Sequence, residues 1–205
     1  MWFVGERAED QPAERAMTNG GITSGMAAIA IVALQATTSS QSGMPPRIAT
    51  DVTKADVDRT LERAPGAGVM DQQIRVVDIG AYNVAVGVLH RAAKAKHTAI
   101  AHAQVTEVYH ILQGSGTLVT GGTIVDATAV PSDSETHKVL VGPSTTGPSI
   151  TNGQSRRVSP GDVIVIPPGV AHWFAAVDAD MNYLVVRVDG NHVLPAGYVN
   201  TAIKP

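Results

Sequence analysis

The sequence predicts an all-β fold, an antiparallel sandwich or barrel preceded by one short helix. After residue 66 the chain breaks into short segments rich in β-branched residues, separated by turn residues. No long helical period appears in that region. The 20 glycines and 12 prolines among 205 residues supply the many turns that such a fold requires. Hydrophobic residues make up 44% but aromatic residues only 4%, so the core must rest on Val, Ile, Leu and Ala.

The first 46 residues differ from the rest. "GMAAIAIVALQA", residues 25–36, is an apolar run too short to cross a bilayer as a helix. Polar "TTSSQSGMPP" follows, with small residues around Ala36. The pattern reads as a secretory signal peptide with its cleavage zone, which predicts export to the periplasm or the exterior. Upstream, "MTNGGITS" carries no positive charge, a departure from the signal pattern, and Met17 is a second candidate start. A disordered leader or a packing helix on a cytoplasmic protein is the alternative.

The domain proper is expected over residues 47–205. "TKADVDRTLERAPG" predicts a helix over about 54–63, with Thr53 as N-cap, Asp56 three residues on, and Val57 and Leu61 on one face. Pro65 and Gly66 stop it. Strands follow in "QIRVVDIG", "YNVAVGVLHR", "AIAHAQ", "EVYHILQGSG", "GTLVTGG", "DVIVIPPG", "AHWFAAV" and "YLVVRV". Residues 122–160 read as an elaborated connection between strands, in which "TIVDATAV" and "HKVLVG" are short apolar pieces and Asn152-Gly153 is a candidate hairpin turn.

Composition narrows the function classes. Net charge is −3 and no Lys/Arg block stands out, which leaves nucleic-acid binding without an electrostatic footprint. The absence of cysteine removes disulfides, thiolate zinc sites and a Cys nucleophile. No run of the sequence predicts a stable membrane span.

Two stretches carry chemistry. "IAHAQVTEVYHILQGSG", residues 100–116, places His102 and Gln104 on one side of a period-2 ladder, with Glu107 shortly after. Burying an imidazole, an amide and a carboxylate costs free energy unless something pairs with them. "SPGDVIVIPPGVAHWFAAV", residues 159–177, runs from Gly161 through the Pro167-Pro168-Gly169 turn to His172.

Together these stretches resemble the cupin family, whose motifs are written G-x5-H-x-H-x3,4-E-x6-G and G-x5-P-x-G-x2-H-x3-N. Glu107 and Gly114 match the end of the first, and Gly161, Pro167, Gly169 and His172 match the second. The resemblance covers roughly residues 73–188 and implies a single double-stranded β-helix (jelly-roll) barrel. Departures are a single histidine in the first motif and Ala176 where the second ends in Asn. In one register His102 takes the first histidine's place and Gln104 the second's; in the other, Ile100 replaces the first and His102 is the second.

On this resemblance, His102, Glu107 and His172 converge in the barrel as a 2-His-1-carboxylate site for Fe, Mn, Ni or Zn, with Gln104 as a further oxygen ligand or a partner of metal-bound water. Tyr109 shares the phase of Glu107 and is expected beside the site as acid, base or hydrogen-bond donor. Ile111 and Phe174 share that phase and read as core; His110 and His97 are out of phase, and His137 and His192 lie in the connection and the tail. Arg187 is a charge within an apolar strand, read as an exposed head on a buried stem, or else as a ligand for a substrate carboxylate. The implied function is a metal-dependent enzyme acting on a small organic molecule, of dioxygenase, isomerase or lyase type; the alternative is a non-catalytic module binding a sugar or small ligand. The family also implies a homodimer, for which Val108, His110 and Leu112 offer an outer face.

Overall fold

The computed structural model describes residues 48–204; the signal-like run and the rest of the leader lie outside the described residues. Helix α1 (Lys54–Leu61) starts where expected. Thr53 Oγ1 accepts from the Asp56 backbone N–H, and the Asp56 carboxylate accepts from the Thr53 backbone N–H, which closes a capping box.

Thirteen strands follow among the described residues: β1 (Val69–Asp78), β2 (Asn83–Arg91), β3 (Ala99–His102), β4 (Val105–Gln113), β5 (Gly116–Thr120), β6 (Thr123–Ile124), β7 (Thr128–Ala129), β8 (Ser144–Gly147), β9 (Ile150–Thr151), β10 (Gln154–Val158), β11 (Val163–Ile166), β12 (His172–Val177) and β13 (Met181–Asp189). One sheet has the order β1-β2-β13-β4-β11 and a second β10-β5-β12-β3-β8-β7, while β6 and β9 form a small ribbon. Every ladder is antiparallel. The all-β expectation therefore holds.

Alternation along the long strands divides the molecule. Leu89, Tyr109, Ile111, Leu118, Phe174 and Tyr183 are among the side chains that fill the space between the two sheets as the main core. On the other side of β1 and β2, Val57 of α1 packs with Ile74, Val88 and Ile203. The helix thus covers one sheet's outer face and leaves the inner face to the core and the site. No described helix is long and apolar enough to cross a membrane.

The long connection departs from its reading in two ways. Asn152 does adopt positive φ, at 59°. However, β9 pairs with β6 and β10 with β5, so the turn joins strands of different sheets and makes no hairpin. The piece "HKVLVG" holds most of a π-helical turn, Thr136–Val141, which at six residues is too short to announce itself by periodicity.

Candidate metal centre

Three strands deliver the centre. His102 closes β3, Glu107 sits in β4, and His172 opens β12 directly after the Pro-Pro-Gly turn. Gly169 has φ of 79°, a left-handed conformation that glycine adopts without steric cost, and its N–H donates to the His102 carbonyl at 2.7 Å. The turn therefore ties the two histidine-bearing segments together. Ile100 pairs with His172 across the β3–β12 ladder, which fixes the register between them.

The ligand atoms converge. Glu107 Oε2 lies 3.3 Å from His102 Nε2 and 3.4 Å from His172 Nε2, and all three residues are buried. Each imidazole is oriented from behind. Ser144 Oγ donates to the Gly142 carbonyl, so at 2.9 Å it accepts from His102 Nδ1–H. His172 Nδ1–H donates to the Val170 carbonyl at 3.1 Å. Both rings thus carry their proton on Nδ1 and present the Nε2 lone pair to the same point. Burial pulls His172 down to about 4, against the opposing charge of Glu107, so its ring is neutral at neutral pH.

Glu107 is held by two hydrogen bonds, one on each oxygen. Its Oε1 accepts from Arg187 Nε at 2.9 Å, and its Oε2 accepts from the Tyr109 hydroxyl at 2.6 Å while facing both imidazoles. Burial raises this carboxyl, but neighbouring positive charge, with the Arg187 guanidinium hydrogen-bonded to Oε1, outweighs it and holds the group well below the usual range. Tyr109 is pushed well above the ordinary tyrosine value by burial and by the Glu107 charge, so its hydroxyl keeps its proton.

Arg187 corrects its sequence reading. It is fully buried in central strand β13, and its Nη1 and Nη2 donate to Gln73 Oε1 and Asp71 Oδ2, each at 2.6 Å. It neither shows an exposed head nor lines the cavity; it braces Glu107 from behind. Gly87 makes room for it, since a Cβ there would lie 2.7 Å from the Gln72 carbonyl and 3.2 Å from Arg187 Nη1.

Gln104 lies elsewhere than expected. Strand β3 ends at His102 and β4 begins at Val105, so Ala103 and Gln104 form the turn between them. The period-2 argument fails because the strand stops before reaching Gln104. The cavity wall includes Ile100 beside His102 but not Gln104. The geometry corresponds to the register with Ile100 in the first histidine's place.

The cavity measures about 620 Å³. His102, Glu107, His172 and Tyr109 line it together with Leu89, which also belongs to the main core, and the residue 130–141 segment adds another wall. Ile111 and Phe174 are core, as expected, and His110 is exposed on the opposite face. Val108 and Leu112 share that outer face, where neighbouring β11 exposes Val163 and Val165 by 60% and 63%. Sequence reasoning missed Ser144, Asp71, Gln73 and Arg91. Only a serine just after Gly142-Pro143, and an arginine ending the apolar run "VAVGVLHR", were there to be noticed.

The residues fit a divalent metal ion. His172 Nε2 is buried and makes no hydrogen bond, although its lone pair faces the site. The ligand atoms of His102, Glu107 and His172 all lie within 4.8 Å of one another. Ligands held about 2.1 Å from a common ion stand about 3.0–3.4 Å apart, which agrees with the separations from Glu107 Oε2. Two imidazole nitrogens and a carboxylate oxygen suit Fe, Mn, Ni or Zn.

No curated protein matches the chain by sequence. Solved structures similar to it include the DMSP lyase DddQ from Ruegeria pomeroyi DSS-3, at 17% identity, TM-score 0.40, and coverage of 67% of this chain and 54% of that one. KdgF from Halomonas sp. is similar at 16% identity and TM-score 0.35, over 60% of this chain and 81% of its own. The Cellulomonas parahominis L-ribose isomerase with L-psicose is similar at 10% identity and TM-score 0.40, over 59% and 61%. The chain spans about half the length of the DMSP lyase. The Cupin family model matches residues 83–204, more than half of the chain and all three ligand positions, and the chain belongs to the cupin family.

Proposed function

We propose that this chain is a metal-dependent enzyme acting on a small organic molecule bound in the barrel cavity. The observation that carries this reading is the pair of Nε2 lone pairs aimed at Glu107 Oε2, with each ring held by a hydrogen bond at Nδ1. A bound divalent ion supplies Lewis-acid polarisation of a substrate oxygen.

The chain's own residues do the rest. Arg187 occupies Glu107 Oε1 and leaves Oε2 as the ligating oxygen. Tyr109 keeps its proton, donates it to Glu107 Oε2 in a hydrogen bond and lines the cavity, so it orients the ligating carboxylate and offers its hydroxyl oxygen to substrate as a hydrogen-bond acceptor. Leu89 and Ile100 restrict water on the apolar side. Export after signal cleavage belongs to the same proposal, supported by the apolar run at residues 25–36 and tested by N-terminal sequencing of the mature protein.

The test is conversion of a panel of small hydroxy- and oxo-acids and sugars, followed by proton NMR with metal-loaded and chelator-treated protein. Metal-dependent conversion is expected, and Tyr109→Phe should lower turnover while retaining metal. Binding of panel members without conversion by either form would instead identify a non-catalytic module.

A further inference from the structure

The cavity wall contains a second prepared group, on the end of β2. Arg91 lies on the inner face with Leu89 and opposes Met181 across the β2–β13 ladder. Its Nε donates to the Tyr183 hydroxyl at 2.9 Å. Its guanidinium carbon sits 4.9 Å from the Phe174 ring centroid and 5.8 Å from that of Tyr183. These contacts hold the head in place by stacking and one hydrogen bond. Its two Nη nitrogens make no hydrogen bond to any described residue, and the side chain lines the cavity together with His102, Glu107 and His172.

Arg91 differs from the other inner-face arginine in what neutralises it. Arg187 is matched by Asp71 and Glu107. Among the described residues, no carboxylate lies within 4.0 Å of Arg91. A half-buried guanidinium fixed on one edge, with the opposite edge open to a cavity, presents a planar fork that fits a carboxylate with two parallel hydrogen bonds. Lys96 lines the same cavity and adds positive potential on the approach.

We propose that Arg91 is the substrate-anchoring residue and that the substrate is a small organic acid. Its carboxylate pairs with Arg91 Nη1 and Nη2, which leaves its other oxygen-bearing end for the metal centre. The proposal rests on the small-molecule reading of the cavity and supplies its substrate class. The aromatic clamp of Phe174 and Tyr183 makes the site rigid before binding, which lowers the ordering cost of the ion pair.

The experiment is calorimetric titration of the full chain with acetate, oxalate, malonate and succinate, each beside its neutral amide, in chelator-treated and Zn-loaded forms. At least one acid should bind the chelator-treated protein more tightly than its amide, by about tenfold or more. Arg91→Gln should abolish that preference while its metal content stays at the wild-type level. Arg91→Lys keeps the charge but loses the fork, and should fall between the two. The wild-type comparison of acid with amide stands even if the variants fold poorly. Equal affinity for acids and amides overturns the proposal, and so does a preference that appears only with Zn and survives Arg91→Gln. Acid binding through Arg91 in a chain that never takes up metal would sink the enzyme reading and leave the anion site standing.

Discussion

Glu107 and Arg187 face each other directly across the β4–β13 ladder, and their 2.9 Å hydrogen bond fixes which carboxylate oxygen points at the two imidazoles. Behind them, Arg187 also reaches Asp71 and Gln73 on β1, so one guanidinium ties three strands into the wall of the centre. Removing it strands the buried Glu107 carboxylate and leaves Asp71, whose Oδ1 already has no partner, with neither oxygen paired. Arg187→Leu should cost about 3–5 kcal/mol, the usual penalty for breaking a buried ion pair from one side. Denaturant unfolding checks this; a loss under about 1 kcal/mol, typical of surface pairs, would remove Arg187 from its bracing role.

Gly87 should resist even the smallest side chain. A Cβ there meets the Gln72 carbonyl at 2.7 Å, and Gln73 Oε1 and Arg187 Nη1 at 3.2 Å. Backbone cannot yield cheaply, and any shift pushes the guanidinium off Glu107. Gly87→Ala is expected to cost about 1–3 kcal/mol by overpacking. Glycine-to-alanine changes in strands more often stabilise, so an unchanged or raised Tm for this variant would contradict the packing described.

The turn before His172 makes a different demand. Nothing lies within 4 Å of a Cβ at Gly169, so the cost of Gly169→Val is in the backbone, whose φ is 79°. About 1–3 kcal/mol is expected, together with weaker metal binding, because this turn also anchors His102. Ala176 is exposed at a β-bulge, and Ala176→Asn should move stability by less than about 0.5 kcal/mol. Thermal melts of the two variants side by side should therefore differ clearly; matching melts would sink the turn assignment.

Acid should destabilise the metal-free protein in a defined window. His172 titrates near 4 in the fold because burial disfavours its charge, whereas an unfolded histidine titrates near about 6.5. Between those values the unfolded chain binds the extra proton, so stability is complete above the upper value and declines as pH falls through the window. The size is on the order of 3 kcal/mol. Chelator-treated His172→Gln should show a flatter pH profile from pH 7 to 4.5 than wild type. Parallel profiles would mean that the ring is not held neutral.

The parts of this structure written in local sequence were legible there. The Gly161-to-His172 spacing encodes a strand, a tight turn and a ligand in one continuous segment, and Thr53 with Asp56 encodes the helix start. The end of β3 was not legible, because Ala103 and Gln104 carry no turn residue and simply continue the alternation. The role of Arg187 was hidden for another reason: its partners Asp71 and Gln73 lie 116 and 114 positions away, and only the β1-β2-β13-β4 order brings them together. Arg91, at the end of an apolar run, looks like a solvated strand terminus until Phe174 and Tyr183 are seen to clamp it.

Metal content of the purified full chain, measured by inductively coupled plasma mass spectrometry after loading with Mn, Fe, Ni or Zn, tests the central claim most directly. Wild type should hold about one ion per chain, and His102→Ala, Glu107→Gln and His172→Ala should each lose most of it. His110→Ala, on the opposite face, and Gln104→Ala, outside the cavity wall, should stay near the wild-type value. A wild type that takes up none of the four metals, or ligand variants that keep as much as His110→Ala, would contradict the metal centre.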